Sequence, residues 1–159
     1  MYQTKNDLSE QCRKEVIELL SARLADCIDL QLQAKQAHWN VKGPNFIALH
    51  KLFDEVTDTA EEFVDLIAER IVQLGGIAEG TVRVAGQRSA LREYPLNIGA
   101  GKDHADAVSN ALAASGKLVR SAIGQTAELG DIDTSDLFTE VSRGIDKQLW
   151  FVEAHLHGN

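Results

Sequence analysis

The chain has 159 residues, 44% of them hydrophobic, and a formal net charge of −8. That length is most simply one domain, residues 1–159, with enough apolar residues to build a core. No apolar run approaches a membrane span, and the first ten residues hold no apolar signal-peptide region. The expected compartment is therefore the cytosol, and an acidic chain without an obvious basic patch repels nucleic acid and anionic membrane.

Both prolines fall outside the long periodic stretches, which favours long helices. The first helix is expected from about Asp7 to about Trp39. Val16, Leu19, Leu20, Leu24, Cys27, Leu30 and Ala34 recur there at helical steps. Cys12 and Cys27 lie on it about 22 Å apart, beyond disulfide reach, and read as small packed residues. Gly43-Pro44 closes the connection, and Asn45 is a candidate N-cap. The second helix is the clearest. Phe46, Leu49, Phe53, Val56, Ala60, Phe63, Ile67, Ile71 and Leu74 form a bundle-type seam, and Gly75-Gly76 stops it.

Residues 77–100 then make a long connection containing Gly80, Gly86, Pro95 and Gly99. Ser89 to Tyr94 is the candidate for one short helix inside it. The third helix, about Lys102 to Leu129, is Ala-rich and holds Gly116 and Gly124. The fourth runs from a candidate cap at Thr134 to about Leu156, with Leu137, Val141, Ile145, Leu149 and Val152 as its stripe. A long crossover in the middle of four helices is the ferritin-like connection. The predicted fold is thus all-α: a ferritin-like four-helix bundle with a short extra helix between helices two and three.

Chemistry concentrates in one window, where His38, His50, Asp54, Asp65 and Glu69 follow the pattern H-x11-H-x3-D-x10-D-x3-E. Imidazole and carboxylate together suit iron or a similar divalent metal. His50 and Asp54 are i,i+4 on helix two, as are Asp65 and Glu69. The two pairs share nearly one face but stand roughly 16 Å apart along the axis. Metals that share ligands and do chemistry together sit only about 3.5–4 Å apart. One straight helix does not close both pairs on one site, whereas an antiparallel copy of it does. The pattern predicts a metal site shared across a two-fold dimer. His50 and Asp54 lie about 100° round from the apolar stripe, on its shoulder. Glu55, Asp58, Glu61 and Glu62 read as a solvated acidic face, which is also the alternative for Asp54, Asp65 and Glu69. Glu-x-x-His, H-E-x-x-H, a P-loop, G-x-G-x-x-G and zinc-ribbon cysteines are all absent, which disfavours proteases, nucleotide enzymes and zinc fingers.

The run Lys35-Gln36-Ala37-His38-Trp39-Asn40-Val41-Lys42-Gly43 resembles the Dps (DNA-protection-during-starvation) mini-ferritins. Phe46, Leu49-His50, Phe53-Asp54, Asp65, Ala68-Glu69-Arg70 and the segment Ile145 to Phe151 continue the resemblance through all four helices. It implies a hollow homododecamer that oxidises Fe2+, preferentially with hydrogen peroxide, and stores the ferric mineral. In it, one subunit supplies His38, His50 and Asp54, and its two-fold partner supplies Asp65 and Glu69. Zinc is a competitor for such nitrogen and oxygen donors. Lys35 corresponds to a lysine that balances carboxylate charge when metal is absent, or is simply an exposed lysine. Trp39 is similar to a tryptophan that takes up oxidising equivalents, or is a packed core aromatic. Asp131 and Asp136 are the best candidates for an acidic three-fold pore, although Asp131, Asp133, Asp136 and Glu140 also suit a helix N-terminus. His155 and His157 read as part of a polar tail.

DNA-binding members of that family carry basic terminal tails. Here Lys5 stands against Asp7 and Glu10, and the C-terminus is basic only through histidines, which argues against DNA binding. Two alternatives to the iron-storage reading remain: an architectural DNA-binding protein with incidental metal uptake, and a catalytically silent helical scaffold.

Overall fold

The computed structural model describes residues 1–157, and these form five helices. They are α1 (Glu10–Asn40), α2 (Phe46–Gln73), α3 (Val82–Arg88), α4 (Gly101–Glu128) and α5 (Ile132–Glu153). The long four make the bundle, and α3 is the short helix in the crossover, as the sequence predicts. No helix among the described residues is long and apolar enough to cross a membrane.

α1 starts at Glu10 rather than Asp7 because Ser9 is the cap. Its hydroxyl accepts the Cys12 N–H at 3.2 Å. α1 and α2 form an antiparallel hairpin. At one end the Arg13 guanidinium donates to the Leu74 carbonyl, and at the other His38 and His50 face each other. Asn45 occupies the N-cap position of α2 but makes no side-chain cap bond. Gly75, at φ +89°, closes α2, letting the Gly76 N–H reach back to Ile71 O at 2.8 Å. The carbonyl of Gly75 then accepts the Tyr2 N–H at 2.7 Å, which ties the N-terminal segment to this end of the bundle.

The short helix is Val82–Arg88, not Ser89–Tyr94. Ser89 to Arg92 is instead pinned to α1 by side chains. The Ser89 hydroxyl donates to Asp29 at 2.6 Å, and the Ala90 N–H donates to buried Asp26 at 2.8 Å. Gln33 donates to the Arg92 carbonyl at 2.9 Å. These local bonds outcompete a helical ladder. The crossover ends in a parallel bridge: Lys42 N–H donates to Gly99 O, and Gly101 N–H donates to Lys42 O. A Cβ on Gly101 would stand 2.6 Å from a Leu49 methyl, so this close approach needs glycine.

α5 is capped by Asp131, three residues before the expected Thr134, and it ends at Glu153 rather than Leu156. Leu20, Leu24, Phe53, Ile67, Leu112, Phe138 and Ile145 fill the core. Cys12 and Cys27 are free thiols; complete burial pushes Cys27 up to about 12.

Candidate metal centre

The corner where α1 meets α2 gathers Lys35, His38, His50 and Asp54. His38 stands in the last turn of α1 and His50 in the second turn of α2. The five-residue connection 41–45 folds these turns side by side. Their rings stack at 3.8 Å between centroids, and the Phe46 ring lies 5.1 Å from His50.

The two histidines fix each other. His38 Nδ1–H donates to the His50 carbonyl at 2.7 Å, and His50 Nδ1–H donates to the His38 carbonyl at 2.9 Å. A carbonyl only accepts, so the ring nitrogen facing it must carry hydrogen. In the neutral ring, Nε2 then keeps its lone pair. Metal-binding histidines are commonly held this way, with the second nitrogen bonded to a carbonyl or carboxylate. This donor set suits a divalent cation such as Fe2+.

Asp54 lies one turn beyond His50. Its carboxylate accepts from Lys35 and stands 3.6 Å from His38 Nδ1. The Lys35 hydrogen bond, aided by the charge of Lys35 and the neighbouring imidazoles, holds the Asp54 carboxyl below its ordinary value. Its side chain is nonetheless 43% exposed, so this lysine is its one polar tether. Of the two readings of Lys35, the charge-balancing one has a contact to support it.

Asp65 and Glu69 follow on the same helix and are exposed. They do not approach His38, His50 or Asp54. Among the described residues, no three His, Cys, Asp or Glu side chains of this chain converge on a point that would hold a metal. Within one chain the corner therefore stands apart from Asp65 and Glu69. Trp39 is 66% exposed, which overturns its reading as a packed core aromatic.

At the far end of α2, Arg70 bridges to the start of α5. It donates to Asp131 at 2.8 Å and to the Thr134 hydroxyl at 2.9 Å. Asp131 also accepts the Thr134 N–H and O–H, and it is 2% exposed. Its carboxylate thus serves the helix cap and an ion pair. Asp136, Asp133 and Glu140 are exposed. His155 and His157 are exposed beyond α5 and join no cluster among the described residues. Sequence reasoning missed the reciprocal histidine bonds and the Arg70 bridge. Only the position of Arg70, directly after Glu69, hinted at the latter.

Comparison with known proteins completes the picture. A ferritin-like domain family matches residues 17–158. The DNA protection during starvation protein of Agrobacterium fabrum is 44% identical over 155 residues, covering 98% of this chain and 96% of that protein. The Mycobacterium smegmatis Dps structure, at 30% identity, superposes with a TM-score of 0.93 over 99% of this chain and 95% of its own. Dps from Microbacterium arborescens, solved in a high iron form, gives 0.88 at 30% identity, over 99% of this chain and 100% of its own. With a four-helix bundle, a mid-chain crossover helix and near-complete matches to such relatives, the chain belongs to the Dps mini-ferritins of the ferritin-like superfamily, a family of iron storage and oxidative-stress protection.

Proposed function

We propose that this chain is the subunit of a cytoplasmic ferroxidase and iron store, working as one domain in a hollow homododecamer. The observation that carries this reading is the reciprocal bonding of His38 and His50. It turns both Nε2 lone pairs away from the backbone, at a corner where Asp54 is tethered only by a lysine. Fe2+ is substrate and cargo. Its arrival displaces Lys35 from Asp54 and exchanges one cation for another at the carboxylate. Asp65 and Glu69 of an antiparallel two-fold partner complete the donor set, which answers the roughly 16 Å that separates the two pairs along α2. Carboxylate donors favour Fe3+ over Fe2+ and so assist oxidation. Hydrogen peroxide is the preferred oxidant, and exposed Trp39 beside the corner takes up stray oxidising equivalents. Exposed Asp136 belongs to an acidic entry pore, whereas Asp131 is taken up by the α5 cap and the Arg70 pair. Zinc competes for the same donors.

Stopped-flow measurement of Fe2+ oxidation, with peroxide and with dioxygen, tests the reading alongside sedimentation of the same sample. An assembly far larger than the 17.4 kDa chain should oxidise Fe2+ faster with peroxide. A stable monomer with intact oxidation would refute the shared site, and an assembly without stoichiometric iron binding would refute the ferroxidase.

A further inference from the structure

Tyr94, half-buried against the core, and His104, fully buried, form a polar pair that the metal corner does not use. The Tyr94 hydroxyl stands 2.6 Å from His104 Nδ1, with the rings inclined by 20°. His104 is 1% exposed. Its Nε2 is buried without a hydrogen-bond partner among the described residues. A neutral imidazole has one acceptor nitrogen, and a phenol O–H is a much stronger proton donor than an imidazole N–H. Nδ1 therefore carries the lone pair, and the phenol donates to it. Burial raises Tyr94 and lowers His104, so both are neutral at rest.

A phenol loses an electron readily only when its proton can leave at the same moment, and here the base is already in contact. The other oxidisable rings lack this partner: Tyr2 is 69% exposed, and Trp39 and Trp150 are each 66% exposed. Lys42, four residues past His38, bridges to Gly99 and Gly101 at the start of α4, and the His104 N–H donates to Ala100 in that same turn. The pair therefore lies at the end of the bundle that carries the metal corner.

We infer that Tyr94 is an oxidation sink: it yields one electron to hydroxyl radical formed where Fe2+ meets peroxide, while its proton crosses to His104 Nδ1. The balance is hydroxyl radical plus phenol plus imidazole giving hydroxide, neutral phenoxyl radical and imidazolium. The O–H bond of Tyr94 breaks and an N–H bond on His104 forms. The charge of neighbouring Asp103 stabilises the new cation. Burial disfavours that cation in the long term, so the proton returns when Fe2+ re-reduces the ring. The inference rests on the ferroxidase reading for the source of the oxidant, but not for the chemistry of the pair.

Freeze-quench electron paramagnetic resonance of the full-length protein, mixed with Fe2+ and then peroxide, provides the test. The wild type should show a tyrosyl signal coupled to one exchangeable proton. Tyr94→Phe, which removes a single oxygen, should abolish it, and Tyr2→Phe should leave it intact. His104→Gln should remove the exchangeable coupling and lower the yield. A tyrosyl signal surviving in Tyr94→Phe would overturn the inference. So would normal Fe2+ oxidation accompanied by tryptophanyl signals alone or by no radical. If Fe2+ is not oxidised at all, the ferroxidase reading fails, and a second arm decides this one. Flash-generated ruthenium(III) tris-bipyridine with metal-free protein should oxidise Tyr94 in preference to exposed Tyr2. Equal yields from Tyr94→Phe and wild type in that arm would refute the sink.

Discussion

Two aspartates, one at each end of the site-bearing helix hairpin, face a cation across the bundle, and they differ in how many bonds hold them. Asp131 is 2% exposed and accepts from Arg70, from the Thr134 N–H and from the Thr134 hydroxyl. Asp54 is 43% exposed and accepts from Lys35 alone. The first carboxylate is committed to structure: it caps α5 and neutralises a half-buried guanidinium. The second remains available. A planar guanidinium makes several fixed bonds, whereas an ammonium on a flexible stem is a point charge that another cation replaces readily. The fold thus pairs the committed carboxylate with arginine and the exposed one with lysine.

The largest effect that would break this contrast comes from the ligands themselves. A variant lacking His38 and His50, and another lacking Asp65 and Glu69, should each oxidise Fe2+ slowly. The loss should exceed the roughly 10–100-fold that follows removal of a mere outer support to a metal ligand. Mixed dimers of the two variants hold one empty site and one intact site. Activity should therefore recover toward half of wild type, measured by stopped flow after co-assembly is verified by mass spectrometry. No recovery in verified mixed dimers would mean that the available carboxylate serves a site within one chain.

Stability should separate the two aspartates next. Asp131→Ala strands Arg70 and uncaps α5, and should cost about 3–5 kcal/mol in denaturant unfolding, as broken buried pairs do. Asp54→Ala should cost about 1 kcal/mol or less, yet weaken iron binding. Equal losses of stability would show that Asp54 is as structural as Asp131.

A smaller effect concerns pH. Lys35 depresses the Asp54 carboxyl, so the folded state holds its proton less tightly than the unfolded chain does. The pair's contribution is complete above the ordinary carboxylate value and fades as pH falls through the lowered one. In Lys35→Met the Asp54 titration should move upward, as followed by carboxyl carbon NMR of the metal-free protein. An unmoved titration would remove the lysine from the account.

The smallest expected effect is none. The net charge is −8, and the N-terminal segment is tied down at Gly75. Plasmid should run unretarded with this protein at about 150 mM salt. Retardation there that disappears at high salt would mean that phosphate contacts exist after all.

Most of the fold was legible before any coordinates. Long amphipathic periods carry their own evidence, and the seam from Phe46 to Leu74 became α2 almost residue for residue. The misplacements share one cause. Ser89 leaves the expected short helix because Asp29 and Asp26, sixty or more positions away, take its hydroxyl and the next N–H. Asp131 displaces Thr134 as cap because Arg70, on another helix, holds it in place. Trp39 stands five residues past Ala34, off the apolar stripe of α1, and it is exposed accordingly.

Sequence alone determined the helical content and the mid-chain crossover, since residue type and helical spacing are local properties. It also set the roughly 16 Å between His50/Asp54 and Asp65/Glu69, since a helix has a fixed rise per residue. Tertiary structure alone decided which donors are free. The tautomers of His38 and His50 depend on each other's carbonyls across the hairpin. The availability of Asp54, the commitment of Asp131 and the contact between Tyr94 and His104 each depend on a residue from another element. Hydrogen bonds act over a few ångströms of space, and only the folded chain brings those partners within that reach.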